Sequence, residues 1–363
     1  MGWWHRGREA MNRISKMKRF VSLFLVGLSL SVAIAACGGN TNTGGSSSSA
    51  NQGGGNVELN LVSFAVTKAA HDEIIPKFVE QWQKEKNQNV TFNQSYGGSG
   101  SQTRAVIDGL EADVVHLALA LDTKKIETAG LIQPGWEKEA PDNAIVSKSV
   151  AALVTREGNP KGIKGWADLA KNDVSVITAN PKTSGGARWN FLGLWGSVAE
   201  TGGDDAKAQD FTAKVFKNVP VLPRDAREAS DVFFKQGQGD VLINYENEMI
   251  LAGQQGQKLP YVVPDVNISI DNPIAVVDKN VDKHGTREAA EAFVKFLYTP
   301  ESQRTFAKYG FRPVDATVAK EVTKQFPPVK TLFTAQDVGG WERIQQKFFD
   351  DGAIFDQIQA RAQ

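Results

Sequence analysis

The stretch Asn180-Pro-Lys-Thr-Ser-Gly-Gly-Ala-Arg-Trp-Asn190 decides the fold of this chain. A short, mostly apolar segment over 175–178 precedes it and is typical of a buried strand. An apolar pattern over 187–199 follows it and predicts a long helix. The stretch therefore predicts the loop of a strand–loop–helix unit, with small residues where the helix begins.

The same alternation of strands and helices extends outward in both directions. On the N-terminal side, strands are predicted over 58–63 and 90–95, and each precedes a helical pattern. On the C-terminal side, Asp240–Asn244 predicts a strand that leads directly to Tyr245. Repeated alternation of this kind favours an α/β fold with mostly parallel sheets flanked by helices.

The length of 363 residues favours two domains. No low-complexity linker interrupts the folded part, so we expect the chain to cross between the domains on strands, over 149–155 and 274–278. These crossings predict one lobe over 57–150 plus 274–363 and a second lobe over 151–273.

Two loops rich in Gly and Ser follow predicted strands, Tyr96–Ser101 and Thr183–Arg188. In open α/β sheets, ligands bind beyond the carboxyl ends of the strands, where helices begin. Glycines let the backbone approach a ligand closely, and the first amides of a helix carry a partial positive charge. The two loops therefore predict an oxyanion site without a lysine. The alternative is that each loop is only a capped tight turn.

The sequence around these loops does not match the motifs of catalysis or nucleotide binding. No Lys follows the glycines, as a P-loop requires. The sequence around Ser184 does not match G-x-S-x-G, and no nearby His can act as its base. We therefore expect a binding protein and not an enzyme.

Composition excludes several other classes. Lys plus Arg and Asp plus Glu both number 41, so no basic surplus supports nucleic-acid binding. The single Cys, Cys37, excludes an intrachain disulfide framework and multi-cysteine metal sites. The four His show no helical pairing that would suggest zinc, and His71, beside Asp72, is expected at the surface. We expect no metal and no cofactor.

The N-terminal residues predict export. Basic residues and then an apolar run over 20–35 precede Cys37, and this pattern resembles a bacterial lipoprotein signal peptide over 1–36. Cys37 would then be the lipidated residue at the mature N-terminus; alternatively, the cleavage site is ordinary and Cys37 is incidental. Residues 37–56 are rich in Gly, Ser and Asn and predict a flexible tether. We therefore expect a periplasmic body that is lipid-anchored to a membrane.

Taken together, these segments resemble the periplasmic sulfate- and thiosulfate-binding proteins of bacterial ABC importers. The resemblance extends over nearly the whole mature chain. Its motifs are Gly97–Gly100, Ile107–Asp113, Asn180–Asn190, Gly239–Glu248 and Gly310–Pro313. It implies a two-lobed type II periplasmic binding protein fold, with the ligand in the cleft between the lobes.

The resemblance also implies a set of sulfate-binding residues that are uncharged donors. They are Ala65, Ser99, Ser184, Gly185, Gly186, Ala226 and Tyr245. Ser99 is expected to donate from its hydroxyl and its amide, and Ser184 from its amide. Many members have Trp where this chain has Tyr245, and Asp-Pro where it has Ala65-Val66.

Two other residues near this set have open roles. Arg188 is expected either to counter the charge of a bound anion, to pair with a carboxylate across the cleft, or to lie at the surface. Tyr245 alternatively only packs at the end of its strand. Because hydrogen phosphate carries a proton that needs an acceptor, a pocket lined only by donors would favour sulfate. Asp225, next to Ala226, is the carboxylate that would change this.

The implied function is high-affinity binding of sulfate and its delivery to the membrane subunits of an ABC permease, by a monomer. One alternative is another oxyanion as ligand, namely thiosulfate, molybdate or phosphate. A second alternative is a lipoprotein that senses a ligand and signals instead of transporting it.

Overall fold

Two mixed β-sheets form the framework of the structure, a computed structural model that describes residues 55–362. The predicted signal peptide, the lipidation site Cys37 and most of the predicted tether lie outside these residues. The strands, in chain order, are β1 (Val57–Phe64), β2 (Val90–Gly97), β3 (Val114–His116), β4 (Ile145–Ser149), β5 (Ala151–Thr155), β6 (Val176–Ile177), β7 (Val241–Tyr245), β8 (Tyr261–Val262), β9 (Val266–Ile268), β10 (Ile270–Val276) and β11 (Thr331–Phe333).

Helices follow most of the strands. In chain order they are α1 (Lys68–Lys86), α2 (Ser99–Ile107), α3 (Ala120–Thr128), α4 (Pro141–Ala144), α5 (Gly185–Ala199), α6 (Asp205–Lys217), α7 (Ala226–Phe234), α8 (Glu246–Gln254), α9 (Asp278–His284), α10 (Arg287–Leu297), α11 (Pro300–Lys308), α12 (Ala316–Glu321), α13 (Trp341–Ile344) and α14 (Ile354–Ala362). A 3₁₀ turn over Ala65–Thr67 connects β1 to α1.

One strand in each sheet runs against the others. The first sheet has the order β2-β1-β3-β10-β4, in which β10 is antiparallel to both of its neighbours. The second sheet has the order β6-β7-β5-β8, in which β5 is the reversed strand. The strands β9 and β11 form a separate parallel pair. The expected α/β class is confirmed, with sheets that are mixed because each contains a reversed strand.

The chain passes between the sheets at two places. It leaves the first sheet after β4 and enters the second at β5, within the predicted crossing over 149–155. It returns between β8 and β10, and this is earlier than the predicted crossing over 274–278. Ile274 is already paired with His116 inside the first sheet, so the predicted second crossing is wrong by about one strand.

The C-terminal segment packs on α5, the helix that begins within the Asn180–Asn190 stretch. The Phe191 ring on α5 lies 5.6 Å from the ring of Phe348, 5.3 Å from that of Phe349 and 6.1 Å from that of Phe355. The Asn190 side chain fastens α5 to the second sheet through the carbonyl of Ile243. The lobe boundaries stay a prediction, and this packing favours grouping residues 341–362 with the second sheet.

Strand register brings the functional loops together. β1 and β2 are parallel, and Phe64 is paired with Gly97 at their carboxyl ends. The residues that follow, Ala65 and Gly98, therefore emerge side by side at one edge of the first sheet. In the second sheet, β7 ends at Tyr245, directly before α8. The residues just after the carboxyl ends of these strands can therefore face a shared cavity.

Candidate ligand-binding site

One small cavity is lined by residues at or just after the ends of strands of both sheets. Its volume is about 10 Å³, taken as the space open to the centre of a water-sized group. Its walls are formed by Phe64, Ala65, Val66, Gly97, Gly98, Ser99, Ala118, Ser184, Gly185, Gly186, Asp225, Ala226 and Tyr245.

All seven residues that the sequence predicted as ligand-binding lie in this wall. Three further lining residues have no signal of their own in the sequence: Phe64, Val66 and Ala118. Ala118 lies just beyond β3, and its carbonyl accepts hydrogen bonds from Trp189 and Asn272. Its place in the wall follows from the pairing of β3 with β1, which local sequence patterns do not specify.

The cavity is surrounded by the first residues of helices. Ser99 opens α2, Gly185 and Gly186 open α5, and Ala226 opens α7. Ala65 opens the 3₁₀ turn before α1. The first amides of a helix have no carbonyl within that helix to bind, and they carry partial positive charge. The wall therefore presents several N–H donors to whatever occupies the cavity.

The two serines of the wall use their hydroxyl groups in different ways. The Ser99 hydroxyl donates to Asp122 Oδ2 at 2.6 Å and accepts from the amide of Ala118 at 3.0 Å. The Ser184 hydroxyl accepts from the amide of Ala187 at 3.3 Å, as the N-cap of α5, so its own hydrogen stays free. The Ser184 amide, in contrast, donates to the carbonyl of Asn180 at 2.8 Å.

This arrangement reverses the expected roles of the two residues. A hydroxyl has one hydrogen to donate, and Asp122 takes that of Ser99, which leaves Ser99 its amide as the ligand donor. Ser184 has its amide engaged and its hydroxyl available. The expected hydroxyl donation by Ser99 and amide donation by Ser184 stay predictions, and the hydrogen bonds within the protein favour the opposite assignment.

Tyr245 supplies an unpartnered hydroxyl. The residue is 1% exposed, and its hydroxyl has no hydrogen-bond partner among the described residues. Burial, with the charges of Asp122 and Glu248, raises the pKa of the phenol well above its usual value. The hydroxyl is therefore protonated and able to donate. A buried orphan donor costs free energy, which argues against the alternative that Tyr245 only packs at the strand end.

Asp225 is the carboxylate that the structure adds to the wall. Its Oδ1 accepts from the amide of Glu228 at 2.9 Å and so caps α7. Its Oδ2 lies 3.7 Å from Nε of Arg224, whose side chain is 79% exposed. The wall is therefore not lined by donors alone.

Arg188 lies behind the cavity and is buried, so the surface alternative is wrong. Its Nε donates to the carbonyl of Pro181 at 2.9 Å, and Nη1 donates to Gln345 Oε1 at 3.2 Å. Nη1 also lies 3.8 Å from Asp122 Oδ1. Of the expected roles, the structure supports pairing with a carboxylate across the cleft.

Glycines allow the two sides of the cavity to meet. A Cβ on Gly98 would lie 2.6 Å from the carbonyl oxygen of Thr183, and one on Gly186 would lie 2.6 Å from Cε2 of Tyr245. Real side chains essentially never approach this closely. These two positions therefore require glycine for the cavity to be closed as it is here.

A second polar cluster lies beside the cavity, on the far side of Phe64. His71 is fully buried, not at the surface as expected, and its Nε2 is 3.1 Å from Nδ1 of His116. Its Nδ1 is 3.1 Å from the hydroxyl of Tyr96. Burial lowers the pKa of His71 to about 3, with a smaller contribution from Lys68. Burial also lowers the pKa of His116 well below its usual value, so both histidines are neutral. Neither lines the cavity.

The described residues show neither a metal-binding cluster nor a membrane-spanning helix. Over residues 55–362, no group of three or more His, Cys, Asp or Glu side chains is arranged to hold a metal ion. In the same range, none of the helices is both long and apolar enough to span a bilayer.

Comparison with known proteins identifies relatives over most of the chain. A family model described as bacterial extracellular solute-binding protein matches residues 59–312. The chain is 57% identical to a sulfate-binding protein of Synechococcus elongatus, over 94% of this chain and 96% of the relative. It is 60% identical to a sulfate-binding protein of Synechocystis, over 83% of this chain and 86% of the relative.

A solved structure shows the same fold. The sulfate-binding protein SubI from Mycobacterium tuberculosis H37Rv superposes with a TM-score of 0.75 at 36% identity. The match covers 81% of this chain and the whole of that chain.

Proposed function

Because this chain belongs to the bacterial extracellular solute-binding proteins, we propose that it binds sulfate and delivers it to an ABC-type permease. Its fold is the two-lobed α/β fold of the type II periplasmic binding proteins. Its relatives are named as binding proteins and not as enzymes, and the proposed role is binding without catalysis.

The single observation that carries the proposal is the convergence of unpaired donors on one closed cavity. Amides at the starts of four helical segments and the hydroxyls of Ser184 and Tyr245 face a space that admits only a compact ligand. Sulfate is fully ionised at neutral pH and accepts hydrogen bonds at all four oxygens. Hydrogen bonds to a charged acceptor are about twice as strong as neutral ones, which offsets the cost of removing the anion from water.

Closure follows from the position of these donors. Ala65 and Ser99 belong to the first sheet and its helices, whereas Ser184, Ala226 and Tyr245 belong to the second. An anion that binds both sets at once stabilises the closed arrangement over an open one. We propose that the permease recognises this closed, loaded form.

The extracytoplasmic setting completes the proposal. The family is extracellular, and we propose that Cys37 carries a lipid that holds the protein, as a monomer, at a membrane. Replacement of Cys37 by Ser should release the protein from the membrane fraction into the soluble fraction after export. Retention of the variant in the membrane fraction would contradict the lipid anchor and leave sulfate binding unaffected.

Calorimetric titration tests the ligand. The purified full chain, dialysed free of sulfate, is titrated with sulfate, thiosulfate, molybdate and phosphate. We expect one sulfate per chain at micromolar affinity or tighter, with weaker binding of the other anions. A response to another oxyanion and none to sulfate would keep the fold and change the ligand. Silence for all four would overturn the proposed function.

A further inference from the structure

The wall of the cavity contains one carboxylate among the residues that the structure describes, and its place is unusual for an anion site. Asp225 is 6% exposed and caps α7, the same helix whose first amide, that of Ala226, faces the cavity. A carboxylate at this position repels a fully ionised anion. The repulsion weakens the site unless the carboxylate has a further use.

The two other buried carboxylates near the cavity lie beside arginines that are buried or largely so. Glu248 accepts from Arg227 Nη2 at 2.7 Å, and Asp122 lies 3.8 Å from Nη1 of Arg188. The cation nearest to Asp225 is Arg224, whose guanidinium is exposed and also lies near Glu228. Arg227, which is paired with Glu248, also interacts electrostatically with Asp225. Asp225 is therefore the carboxylate of the cavity wall whose nearest cation is exposed to water.

One oxygen of Asp225 is also free to accept a hydrogen bond. Oδ1 is occupied by the amide of Glu228. Oδ2 accepts no hydrogen bond from the residues that the structure describes, and its nearest cation, at 3.7 Å, is beyond hydrogen-bond distance. An ionised carboxylate only accepts. The wall therefore holds one acceptor among many donors.

We propose that Asp225 is a specificity-determining residue that accepts the proton of a monoprotonated tetrahedral oxyanion, so that the site takes hydrogen phosphate as a second, weaker ligand. This inference rests on the proposed function and extends its ligand class. The unpaired amides and the Tyr245 hydroxyl bind the ionised oxygens, and the Asp225 carboxylate accepts from the O–H. Sulfate makes the same donor contacts but meets the carboxylate as a repulsive neighbour.

The variant Asp225→Asn separates these effects at nearly constant shape. Asn caps helices as well as Asp does, so its Oδ1 can keep the bond from Glu228. Its amide group then replaces Oδ2, and a donor stands where the acceptor was. We expect sulfate to bind several-fold more tightly and phosphate to bind about tenfold more weakly. Asp225→Ser, which also caps, should lose phosphate binding with a smaller gain for sulfate.

Asp204→Asn is the matched control. Asp204 caps α6 through the amide of Lys207 at 2.8 Å, and it does not line the cavity. This variant removes the same charge from the N-cap of another helix, at an exposed position. We expect both dissociation constants to stay as in the parent chain. Thermal unfolding of all variants confirms that each is folded.

Titration of the parent chain and the variants with sulfate and with inorganic phosphate tests the role of Asp225. The proposal requires phosphate binding by the parent chain and opposite changes for the two anions in Asp225→Asn. A parent chain that binds sulfate and no phosphate overturns the inference alone. The inference is also overturned if Asp225→Asn binds both anions more tightly, because this result indicates charge repulsion alone. It is likewise overturned if Asp225→Asn changes neither affinity. A parent chain that binds neither anion overturns the proposed function and this inference with it.

Discussion

The hydroxyl groups of Ser99 and Ser184 line the same cavity but differ in the hydrogen bonds that they make with the rest of the protein. The Ser99 hydroxyl is fixed between a buried carboxylate and a backbone amide, whereas the Ser184 hydroxyl is fixed only as an acceptor. A hydroxyl that already donates to the protein cannot also donate to a ligand. The residue type alone therefore does not define the role of a serine in such a site.

Removal of each hydroxyl should have a different outcome. Ser184→Ala removes a ligand donor, so we expect sulfate affinity to fall about tenfold or more, and loss of the cap should lower stability by about 1 kcal/mol. Ser99→Ala leaves Asp122 with one fewer donor, so its main effect should be on stability. Calorimetry and thermal unfolding measure the two effects. An equal loss of affinity in both variants would contradict the assignment.

Tyr245→Phe tests the orphan hydroxyl. The hydroxyl is buried and has no partner among the described residues, so its removal should raise the stability of the ligand-free protein by about 1 kcal/mol. Sulfate affinity should fall about tenfold, because one donor to the anion is lost. The two effects have opposite signs, and unfolding and titration measure them separately.

Tyr298→Phe is the control for this variant. The Tyr298 hydroxyl is also buried without a partner among the described residues, and Tyr298 does not line the cavity. We expect the same gain in stability with unchanged sulfate binding. If Tyr245→Phe and Tyr298→Phe bind sulfate equally well, Tyr245 is not a ligand donor.

At the scale of elements, the contact between helix starts and loops controls closure. The first turn of α2 meets the loop before α5 at Gly98, where a Cβ would lie 2.6 Å from a backbone oxygen that cannot move aside easily. The φ of Gly98 is −61°, an ordinary value for any residue. The close approach, and not the backbone conformation, is what requires glycine at this position.

Gly98→Ala should therefore separate folding from binding. The added methyl fits an open arrangement and clashes with Thr183 in the closed one, so we expect near-parental thermal stability without ligand and at least about a hundredfold loss of sulfate affinity. Small-angle scattering should show no compaction when sulfate is added. The control is Gly253→Ala on α8, where a Cβ meets nothing within 4 Å, and which should be slightly more stable. Normal binding by Gly98→Ala would show that closure does not depend on this contact.

Much of this architecture could be predicted from the sequence, and the exceptions have physical reasons. The strand–loop–helix units around Ser99 and Ser184 were predictable because strand ends, glycines and helix starts are local patterns. The strands β8, β9 and β11 are only two or three residues long, too short to show a period. The predicted strand over 149–155 is two strands, β4 and β5, that belong to different sheets.

The site was predictable in its membership and not in its hydrogen bonds. Resemblance and strand-end reasoning placed seven residues around one cavity. The partner of Ser99 is Asp122, which lies on α3, and only tertiary structure brings the two together. His71 was expected at the surface because Asp72 follows it. It shares the buried face of α1 with Ile74, Phe78 and Trp82, a helical spacing that could have placed it correctly.

At the scale of the whole molecule, pH acts on stability through histidines with opposite shifts. His284 lies between Asp113 and Glu111, which raise its pKa above the ordinary 6.5. The stabilisation that protonated His284 gains from these two carboxylates is complete below pH 6.5. It is lost as pH rises through the raised pKa of His284. His71, with its pKa of about 3, is neutral in the fold, so its contribution is lost as pH falls from 6.5 towards 3.

His284→Gln should expose the first of these effects. We expect the variant to be less stable than the parent by up to about 1 kcal/mol at pH 6, and by less at pH 9, because the imidazolium loses its proton as pH rises through the raised pKa of His284. Denaturant unfolding at the two pH values measures the difference. Thr286→Val removes another hydrogen bond to Asp113 that does not titrate, so its cost should be equal at both. A pH-independent cost for His284→Gln would contradict the role of charge.

The packing of the last residues on α5 has a consequence for how the chain is made. Phe191 emerges from the ribosome long before Phe348, Phe349 and Phe355, yet its ring packs against theirs. The core of the second sheet is therefore incomplete until translation is nearly finished, and contacts between such distant positions form slowly. Because the family is extracellular, we expect this late completion of the core to keep the chain unfolded for longer before export.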